Sequence, residues 1–307
     1  MDDNLREKLD EISCGEVVYD CPLARYTTYA IGGPADALVV VKKQNDLAAL
    51  LQLLEKESVP WRVLGRGSNL LVKDVGYRGV AIILAGDFSK IDDPVVHKGK
   101  HITLQVGAGC SLTKLNRYCC RQGFGGLSFS YGIPGTVGGA LLMNAGAWGH
   151  EIAELVAGVG VMTENGYEQI KAEQLDFTYR RWPGFSSYAG RAVIVDAQFS
   201  LFSSLSEHLE KKAKELLEKR KEIQPHNHPN GGSVFKNPSG DSAGRLIDEC
   251  GFKGESIGGA MVSTKHANFI INRGKASSED VLRLMARIQL EVKKRFGVEL
   301  EPEIHVM

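Results

Sequence analysis

Apolar residues in the first part of the chain follow first a strand pattern, then a helix pattern, then a strand pattern again. The β-branched run Ala37–Val41 predicts a buried strand, and Trp61–Leu64 predicts a second strand. Between them leucines recur with helical spacing, and Asn45 and Asp46 are available to cap a helix that continues to about Glu57. The leucines on the predicted apolar face are Leu47, Leu50, Leu51 and Leu54. This order predicts a βαβ unit.

The middle of the chain predicts more strands and one well-capped helix. Strands are expected over Val80–Leu84 and Ala192–Leu201, and apolar residues alternate at positions 102, 104 and 106. A helical pattern lies between Ser111, a good N-cap residue, and Gly123, a good C-cap residue.

Two further helices are predicted in the last third. One covers about Ser206–Gln224, and its apolar stripe consists of Leu205, Leu209, Ala213, Leu216 and Ile223. The mixed charges on its other side indicate a solvated face. The polar stretch 225–232 is typical of a linker. The second helix begins after Ser277, with Asp280 in the capping-box position, and ends at Gly297.

Length and charge narrow the class of protein. A chain of 307 residues favours two domains. Equal numbers of basic and acidic residues, 37 of each, argue against a dedicated nucleic-acid binder, which needs a positive field. No apolar run approaches the roughly 18 residues of a membrane span, and the charged start is unlike a signal peptide. We therefore expect a cytoplasmic protein with neither a nucleic-acid nor a membrane partner.

The six cysteines, which include Cys14, form no C-x-x-C pair and have no histidine at zinc-ligand spacing. They predict reduced thiols and no metal site.

Glycine is the compositional outlier, with 35 of 307 residues, about 11% against a usual 7%. The first glycine motif, Gly65-Arg66-Gly67-Ser68-Asn69, directly follows a predicted strand. Its backbone N–H groups and short polar side chains suit an anion. It lacks the third glycine of the dinucleotide fingerprint and the Gly-Lys-Ser/Thr of a P-loop. By itself it is either a tight turn or a phosphate-binding loop.

The second glycine motif covers residues 132–149, of which six are glycine. A regular helix would cost about 1 kcal/mol for each glycine, so the motif indicates close backbone packing or a ligand.

Three polar segments could carry chemistry. Gly231–Pro238 offers a hydroxyl, a cation and an amide within a short stretch, but it could equally be a polar turn. Arg180, within Phe177–Trp182, could clamp a carboxylate or belong to surface packing. Glu303 lies in a short apolar stretch, where a carboxylate serves either structural pairing or function.

Taken in order, these segments resemble the UDP-N-acetylenolpyruvoylglucosamine reductases, the MurB family of flavoenzymes. The resemblance covers nearly the whole chain, and several blocks in family order are more specific than any single glycine loop. The blocks are Thr27–Asp36, Gly65–Val72, Gly132–Ala140, Asn144–Gly149, Ser233–Pro238, Lys265–Asn272 and Glu301–Glu303.

The resemblance implies an α+β fold: a two-lobed FAD-binding domain of the vanillyl-alcohol-oxidase (PCMH) type and then an α+β substrate-binding domain. We place the first domain at residues 1–203, with its lobes divided near residue 87, and the second at residues 204–307. We expect the last strand of the second domain to return to the active site. The implied reaction belongs to peptidoglycan precursor synthesis. A hydride from NADPH passes through non-covalent FAD to UDP-N-acetylglucosamine enolpyruvate, which yields UDP-N-acetylmuramate. We also expect a monomer.

Roles carry over by position. The resemblance implies that Ser233 donates a proton and that Arg180 and Glu303 stabilise the developing enolate. It implies substrate contacts for Tyr179, Lys236 and Asn237. The implied FAD-binding residues are Gly65, Arg66, Gly67, Ser68, Asn69, Gly132, Ile133, Pro134, Gly135, Thr136, Gly138, Gly139, Ala140, Asn144 and Gly146.

The sequence departs from the family pattern at Trp182, where the family often has serine, and at His305, near the end of the chain. The stretch between Ser200 and Gly231 leaves no room for an added subdomain, which indicates the shorter class without an extra tyrosine loop. Two alternatives stay open: a flavin oxidase on the same fold, and a flavin-binding or nucleotide-binding module that is not an enzyme.

Overall fold

The computed structural model describes residues 1–12, 15–98 and 101–307, so Cys14 lies outside the described residues. The chain forms two compact units, each made of several segments. Unit 1 comprises Met1–Tyr19, Asp36–Gly65 and Gly79–Glu218, and unit 2 comprises Asp20–Ala35, Arg66–Arg78 and Lys219–Met307.

The α-helices are α1 (Asp3–Glu11), α2 (Gln44–Lys56), α3 (Leu112–Gln122), α4 (Val137–Leu142), α5 (Ser206–Ile223), α6 (Ala243–Glu249) and α7 (Ser278–Phe296). The strands of the first half are β1 (Gly15–Pro22), β2 (Pro34–Val41), β3 (Trp61–Val63), β4 (Leu70–Leu71), β5 (Tyr77–Leu84), β6 (Val95–Val96), β7 (His101–Gly107), β8 (Phe124–Gly125), β9 (Gly146–Ala147) and β10 (His150–Glu151). Those of the second half are β11 (Val156–Thr163), β12 (Gly166–Lys171), β13 (Val193–Ser203), β14 (Ser256–Ile257), β15 (Ala260–Val262), β16 (Ile270–Asn272) and β17 (His305–Val306).

The largest sheet lies in unit 1, in the order β12-β11-β13-β7-β6, with β8 also paired to β13. Its central strand β13 is antiparallel to both neighbours, and Phe199 stands opposite Val156 on one side and Leu104 on the other. Phe199 and Leu104 are fully buried. The alternation that predicted β7 and β13 is confirmed, because every second side chain enters the core.

A second sheet has the order β1-β2-β5-β3, and β3 runs parallel to β5 with Trp61 opposite Val80. Helix α2 joins β2 to β3 and buries all four predicted leucines, so the βαβ unit is confirmed. The predicted cap is wrong. The helix begins at Gln44 after Lys43. Asp46 lies in its first turn, where a carboxylate interacts favourably with the free backbone N–H groups.

Unit 2 contains the antiparallel sheet β14-β15-β16 and the parallel pair β4 and β17. Its core includes apolar side chains of α6 and α7. Helix α7 starts with the predicted capping box of Ser277 and Asp280 and ends at Gly297 in the left-handed conformation, so both predicted ends are confirmed.

The compact units do not follow the predicted division at residues 203 and 204. Within unit 2, the Thr28 hydroxyl donates a hydrogen bond to the Asn230 carbonyl at 2.7 Å, and Leu70 pairs with His305. These contacts join segments more than 200 residues apart, so early segments of the chain belong to the same unit as its end.

Two smaller expectations are wrong in part. The glycine-rich region does contain a short helix, α4, which includes Gly138 and Gly139. In α5 only Leu209 and Ala213 are buried, while Leu205 is 76% exposed, because it precedes the helix rather than facing the core. Among the described residues, no helix is both long and apolar enough to span a membrane.

Candidate functional site

In unit 1, the first glycine motif begins against the second. Gly65 follows β3, and a Cβ added there would lie 2.7 Å from Thr136 Oγ1, closer than real Cβ contacts allow. Thr136 caps α4, and its hydroxyl oxygen accepts a hydrogen bond from the Gly139 N–H at 3.3 Å. The two predicted cofactor segments therefore meet through a glycine and a threonine.

The glycines of α4 differ in their surroundings. A Cβ on Gly138 would lie 3.0 Å from Ala108 Cβ, and the Gly138 N–H donates to the Ala108 carbonyl at 2.8 Å. Gly138 therefore serves packing inside unit 1. Gly139 is exposed, and its added Cβ would meet only Thr136 Oγ1, at 3.5 Å.

The other predicted cofactor residues of the second glycine motif also differ in burial. Pro134 is exposed, Ala140 is buried, and the half-buried ones are Gly132, Ile133, Gly135 and Thr136.

Asn144 lies 1% exposed in a left-handed backbone conformation, with φ of 40°. Its Nδ2 donates to Glu151 Oε2 at 2.7 Å and to the Thr178 carbonyl at 3.0 Å. Its Oδ1 accepts from the Ala153 N–H at 3.1 Å. The predicted cofactor residue Asn144 thus directs its side chain to the protein interior.

Tyr179 and Arg180 form the tip of a tight turn that Thr178 and Arg181 close by mutual backbone hydrogen bonds. Arg180 has a φ of 56°, a conformation that non-glycine residues rarely adopt. Its guanidinium lies 5.2 Å from the centre of the Tyr179 ring, and Nη2 donates to the Gly146 carbonyl at 3.0 Å. Unit 1 therefore brings together four predicted residues: Asn144, Gly146, Tyr179 and Arg180.

Trp182, which departs from the family pattern, is 2% exposed and lies in the apolar core of unit 1. Its ring centre lies 5.1 Å from that of Phe177 and 5.3 Å from that of Phe185. This position explains why an aromatic residue is accommodated there: the side chain packs inward behind the turn.

The rest of the first glycine motif belongs to unit 2. A Cβ on Gly67 would lie 2.2 Å from the Tyr26 carbonyl oxygen, so only glycine fits. Asn69 Nδ2 donates to the Glu303 carbonyl at 3.0 Å, and the His305 N–H donates to the Asn69 carbonyl at 3.0 Å. Arg66 is exposed and Ser68 half-buried.

Ser233 lies beside the end of the chain. The next residue, Val234, donates its N–H to the Asn268 carbonyl at 2.9 Å and accepts the Glu303 N–H at 2.8 Å. Both Ser233 and Glu303 are half-buried. Just before Ser233, a Cβ on Gly231 would lie 2.2 Å from the Tyr29 ring, so glycine is required there. Unit 2 therefore brings together Ser233, Glu303 and Asn69.

The predicted substrate residues Lys236 and Asn237 also make contacts within unit 2. Lys236 Nζ lies 2.6 Å from Glu301 Oε1, and the Lys236 N–H donates to the Glu301 carbonyl at 2.9 Å. Asn237 Oδ1 accepts the Ala243 N–H at the start of α6, at 3.0 Å. Asn237 is exposed, and its amide nitrogen is the group available for a ligand.

Asn268, which was not among the predicted site residues, shapes the loop at Ser233. Asn268 is 4% exposed, accepts the Phe235 N–H through Oδ1 at 3.0 Å and donates through Nδ2 to the Phe235 carbonyl at 2.8 Å. The backbone N–H of Asn268 donates to His266 Nδ1 at 3.2 Å. Burial lowers the pKa of His266, and the positive charge of Lys253 lowers it further. An asparagine between apolar residues in the block 265–272 was the available signal.

The cysteines of the described residues are free thiols. Cys110, Cys119 and Cys120 are buried, and none of the cysteines in the described ranges forms a disulfide. Burial, with smaller contributions from Cys120 and Cys110, raises the pKa of Cys119 to about 12. Across the described part of the chain, no cluster of three His, Cys, Asp or Glu side chains is placed to hold a metal.

The fold and the glycine-lined surface of unit 1 define the class as an α+β flavoprotein. Gly65 and Gly139 are both exposed, so their backbone is accessible, as a phosphate-rich cofactor requires. Residues 35–170 match a family model described as an FAD binding domain, which confirms FAD as the cofactor. Residues 224–307 match the C-terminal domain of UDP-N-acetylenolpyruvoylglucosamine reductase.

The chain is 45% identical over 288 residues to UDP-N-acetylenolpyruvoylglucosamine reductase 2 of Symbiobacterium thermophilum, covering 93% of this chain and 90% of that one. It is 41% identical to the reductase of Syntrophus aciditrophicus, covering 99% and 96%. The crystal structure of the reductase from Thermus caldophilus superposes with a TM-score of 0.77 at 37% identity, covering 95% and 98%. The chain belongs to the UDP-N-acetylenolpyruvoylglucosamine reductase family, and the predicted fold class, a two-domain α+β fold with an FAD-binding domain, is confirmed.

Proposed function

We propose that this protein reduces the enolpyruvyl group of UDP-N-acetylglucosamine enolpyruvate with NADPH and so makes UDP-N-acetylmuramate for peptidoglycan synthesis. The observation that carries the proposal is the joint position of Ser233 and Glu303 beside Val234, in a chain whose relatives bear that reductase name over nearly their full length. A flavin oxidase or a binding module would have no need of this polar pair.

The glycine segments around Gly65 and Thr136 would hold FAD without a covalent bond. When bound, FAD supplies the two-electron chemistry, taking a hydride from NADPH and giving it to the enolpyruvyl group. The remaining tasks fall to this chain's own side chains: to bind the substrate, to stabilise the charge that develops, and to deliver a proton.

Arg180 would bind the substrate carboxylate through its planar guanidinium, which forms paired hydrogen bonds. Hydride addition next to the carbon that bears the carboxylate spreads negative charge onto that carboxylate, so a fixed cation lowers the barrier. Tyr179, Lys236 and Asn237 would contact the UDP-sugar. The ion pair of Lys236 with the exposed Glu301 would hold the ammonium in place for this contact.

Ser233 would deliver the proton to the enolate carbon. A serine hydroxyl is a weak acid, so it acts only when it is held in position. Its neighbours supply that rigidity, because Val234 is hydrogen-bonded on both sides and the Gly232 N–H donates to Asn230 Oδ1 at 3.0 Å. An ionised Glu303 would repel the developing enolate, so its stabilising role requires the protonated carboxyl, which can donate a hydrogen bond.

The test is an anaerobic two-step titration of the purified protein. NADPH should bleach the flavin absorbance, and UDP-N-acetylglucosamine enolpyruvate should restore it with stoichiometric formation of UDP-N-acetylmuramate, measured by mass spectrometry. Reoxidation by oxygen but not by the enolpyruvyl substrate would overturn the proposal in favour of an oxidase. A protein that binds FAD but accepts no electrons would be a binding module. The monomeric state, the cytoplasmic location, and the lack of membrane and nucleic-acid partners stay predictions.

A further inference from the structure

Two segments of unit 1 that carry predicted site residues are joined by one buried amide. Asn144 stands just before the hairpin of β9 and β10, and its Nδ2 donates both to Glu151 in β10 and to the carbonyl of Thr178. Thr178 is the residue that opens the turn bearing Tyr179 and Arg180. The amide therefore links the β9–β10 hairpin to the backbone of the Arg180 turn.

The turn needs such support because its backbone is strained. Arginine at a φ of 56° occupies a conformation that costs a non-glycine residue free energy, and such a conformation persists only when its surroundings fix it. Two contacts to residues 144–146 help to fix it: Asn144 holds the Thr178 carbonyl, and the Gly146 carbonyl accepts from Arg180 Nη2. A Cβ on Gly146 would lie 3.2 Å from Arg180 Nη1 and 2.5 Å from the His150 carbonyl.

These contacts also use every hydrogen-bond donor of the Asn144 side-chain amide. With 1% of the residue exposed, its two Nδ2 hydrogens serve Glu151 and Thr178, and its Oδ1 serves the Ala153 N–H. Both donors are used within the protein, so the side chain has no N–H left to offer to a cofactor.

We propose that Asn144 is a positioning residue for Arg180, supported by Glu151, and that its side chain does not contact FAD. The inference rests on the proposed role of Arg180 in the reduction. Asn144 holds the turn through Thr178, so the guanidinium stands where the substrate carboxylate binds. Losing this support would displace the guanidinium, and a small misplacement of a binding group lowers the rate by roughly 10- to 100-fold.

The experiment is a double-mutant cycle of Asn144→Gly with Arg180→Ala. Glycine at position 144 keeps the left-handed backbone free of strain, so the variant removes only the side chain. Flavin content and flavin reduction by NADPH should stay within twofold of the parent. Reoxidation by the enolpyruvyl substrate should slow by roughly 10- to 100-fold in the parent background and by less than twofold in the Arg180→Ala background.

Asn165→Ala, at an exposed asparagine of the same unit, is the matched control and should leave both half-reactions unchanged. If Asn144→Gly does not fold, Glu151→Ala removes one partner of the amide and enters the same cycle. Equal slowing in both backgrounds, or loss of flavin from Asn144→Gly, would overturn the inference. A parent protein that never reoxidises with the substrate would instead refute the proposed function, so the two failures are distinguishable.

Discussion

Replacing Asn268 with alanine should destabilise unit 2 and slow the half-reaction that depends on Ser233. The asparagine side chain supplies two hydrogen bonds, at 3.0 Å and 2.8 Å, to the N–H and carbonyl of Phe235, a residue only 1% exposed. An unsatisfied buried polar group costs about 1–3 kcal/mol, so losing both partners should lower the free energy of unfolding by about 2–6 kcal/mol. Phe235 is two residues from Ser233, so the proton donor should lose its fixed position as well.

The measurement is urea unfolding followed by circular dichroism, together with the rate of reoxidation by the substrate. The urea midpoint should fall while the slope stays constant, because the same surface is exposed on unfolding. Flavin content is measured alongside, because unit 2 also holds Gly67, Ser68 and Asn69 of the first glycine motif. Asn227→Ala, an exposed position in the same unit, is the control. A loss below about 0.5 kcal/mol, typical of surface substitutions, would refute the reasoning.

Asn268→Asp should keep one of the two hydrogen bonds to Phe235 and remove the other. The carboxylate keeps an acceptor for the Phe235 N–H but turns a negative oxygen toward the Phe235 carbonyl. Burial and this repulsion should raise the folded-state pKa of the new carboxyl above its unfolded value of about 3.9. The folded state then binds more protons, so the stability of the variant relative to the parent should rise as the pH is lowered from 8 to 5. A difference that does not change with pH would contradict this account of the contact.

Three further predictions concern the site and its surroundings. Ser233→Ala should slow reoxidation by the enolpyruvyl substrate by about 10²- to 10⁴-fold at normal flavin content, and Ser233→Cys should retain more activity; an alanine variant as fast as the parent would assign the proton to another group. Gly138→Val should lower the free energy of unfolding by about 1–3 kcal/mol and reduce the bound flavin measured by absorbance, because the new side chain would push against Ala108. Gly139→Ala is the control and should be as stable as the parent. A Gly138→Val protein that binds a full complement of flavin would contradict the prediction. The lowered pKa of buried His266 means that the unfolded state binds the proton more readily, so the urea midpoint should fall as the pH drops below about 6.5. His266→Asn should make the midpoint less dependent on pH. If the midpoints of parent and variant change in parallel with pH, His266 is excluded as the cause.

Short-range signals in the sequence determined most of the secondary structure. The cap of α3 formed by Ser111 and Gly123 and the capping box of α7 are confirmed, because a cap depends on hydrogen bonds within about four residues. The alternation in β7 and β13 is confirmed for a similar reason, since a strand with one buried face repeats every two residues. The ordered glycine and polar blocks also indicated the flavoprotein family.

Tertiary structure alone decided which of these segments meet, because such contacts depend on the path of the whole chain. Nothing local to Leu70 indicates that its strand pairs with His305, or that segment 20–35 folds with the C-terminal residues. The same holds for single residues. Gly138 and Asn144 were both predicted to lie at the cofactor. Only the folded structure shows that Gly138 lies against Ala108 and that the Asn144 amide is directed to Thr178 and Glu151. A glycine or an asparagine in a motif has the same identity whether it faces a ligand or the interior, and only the neighbours brought by folding distinguish the two.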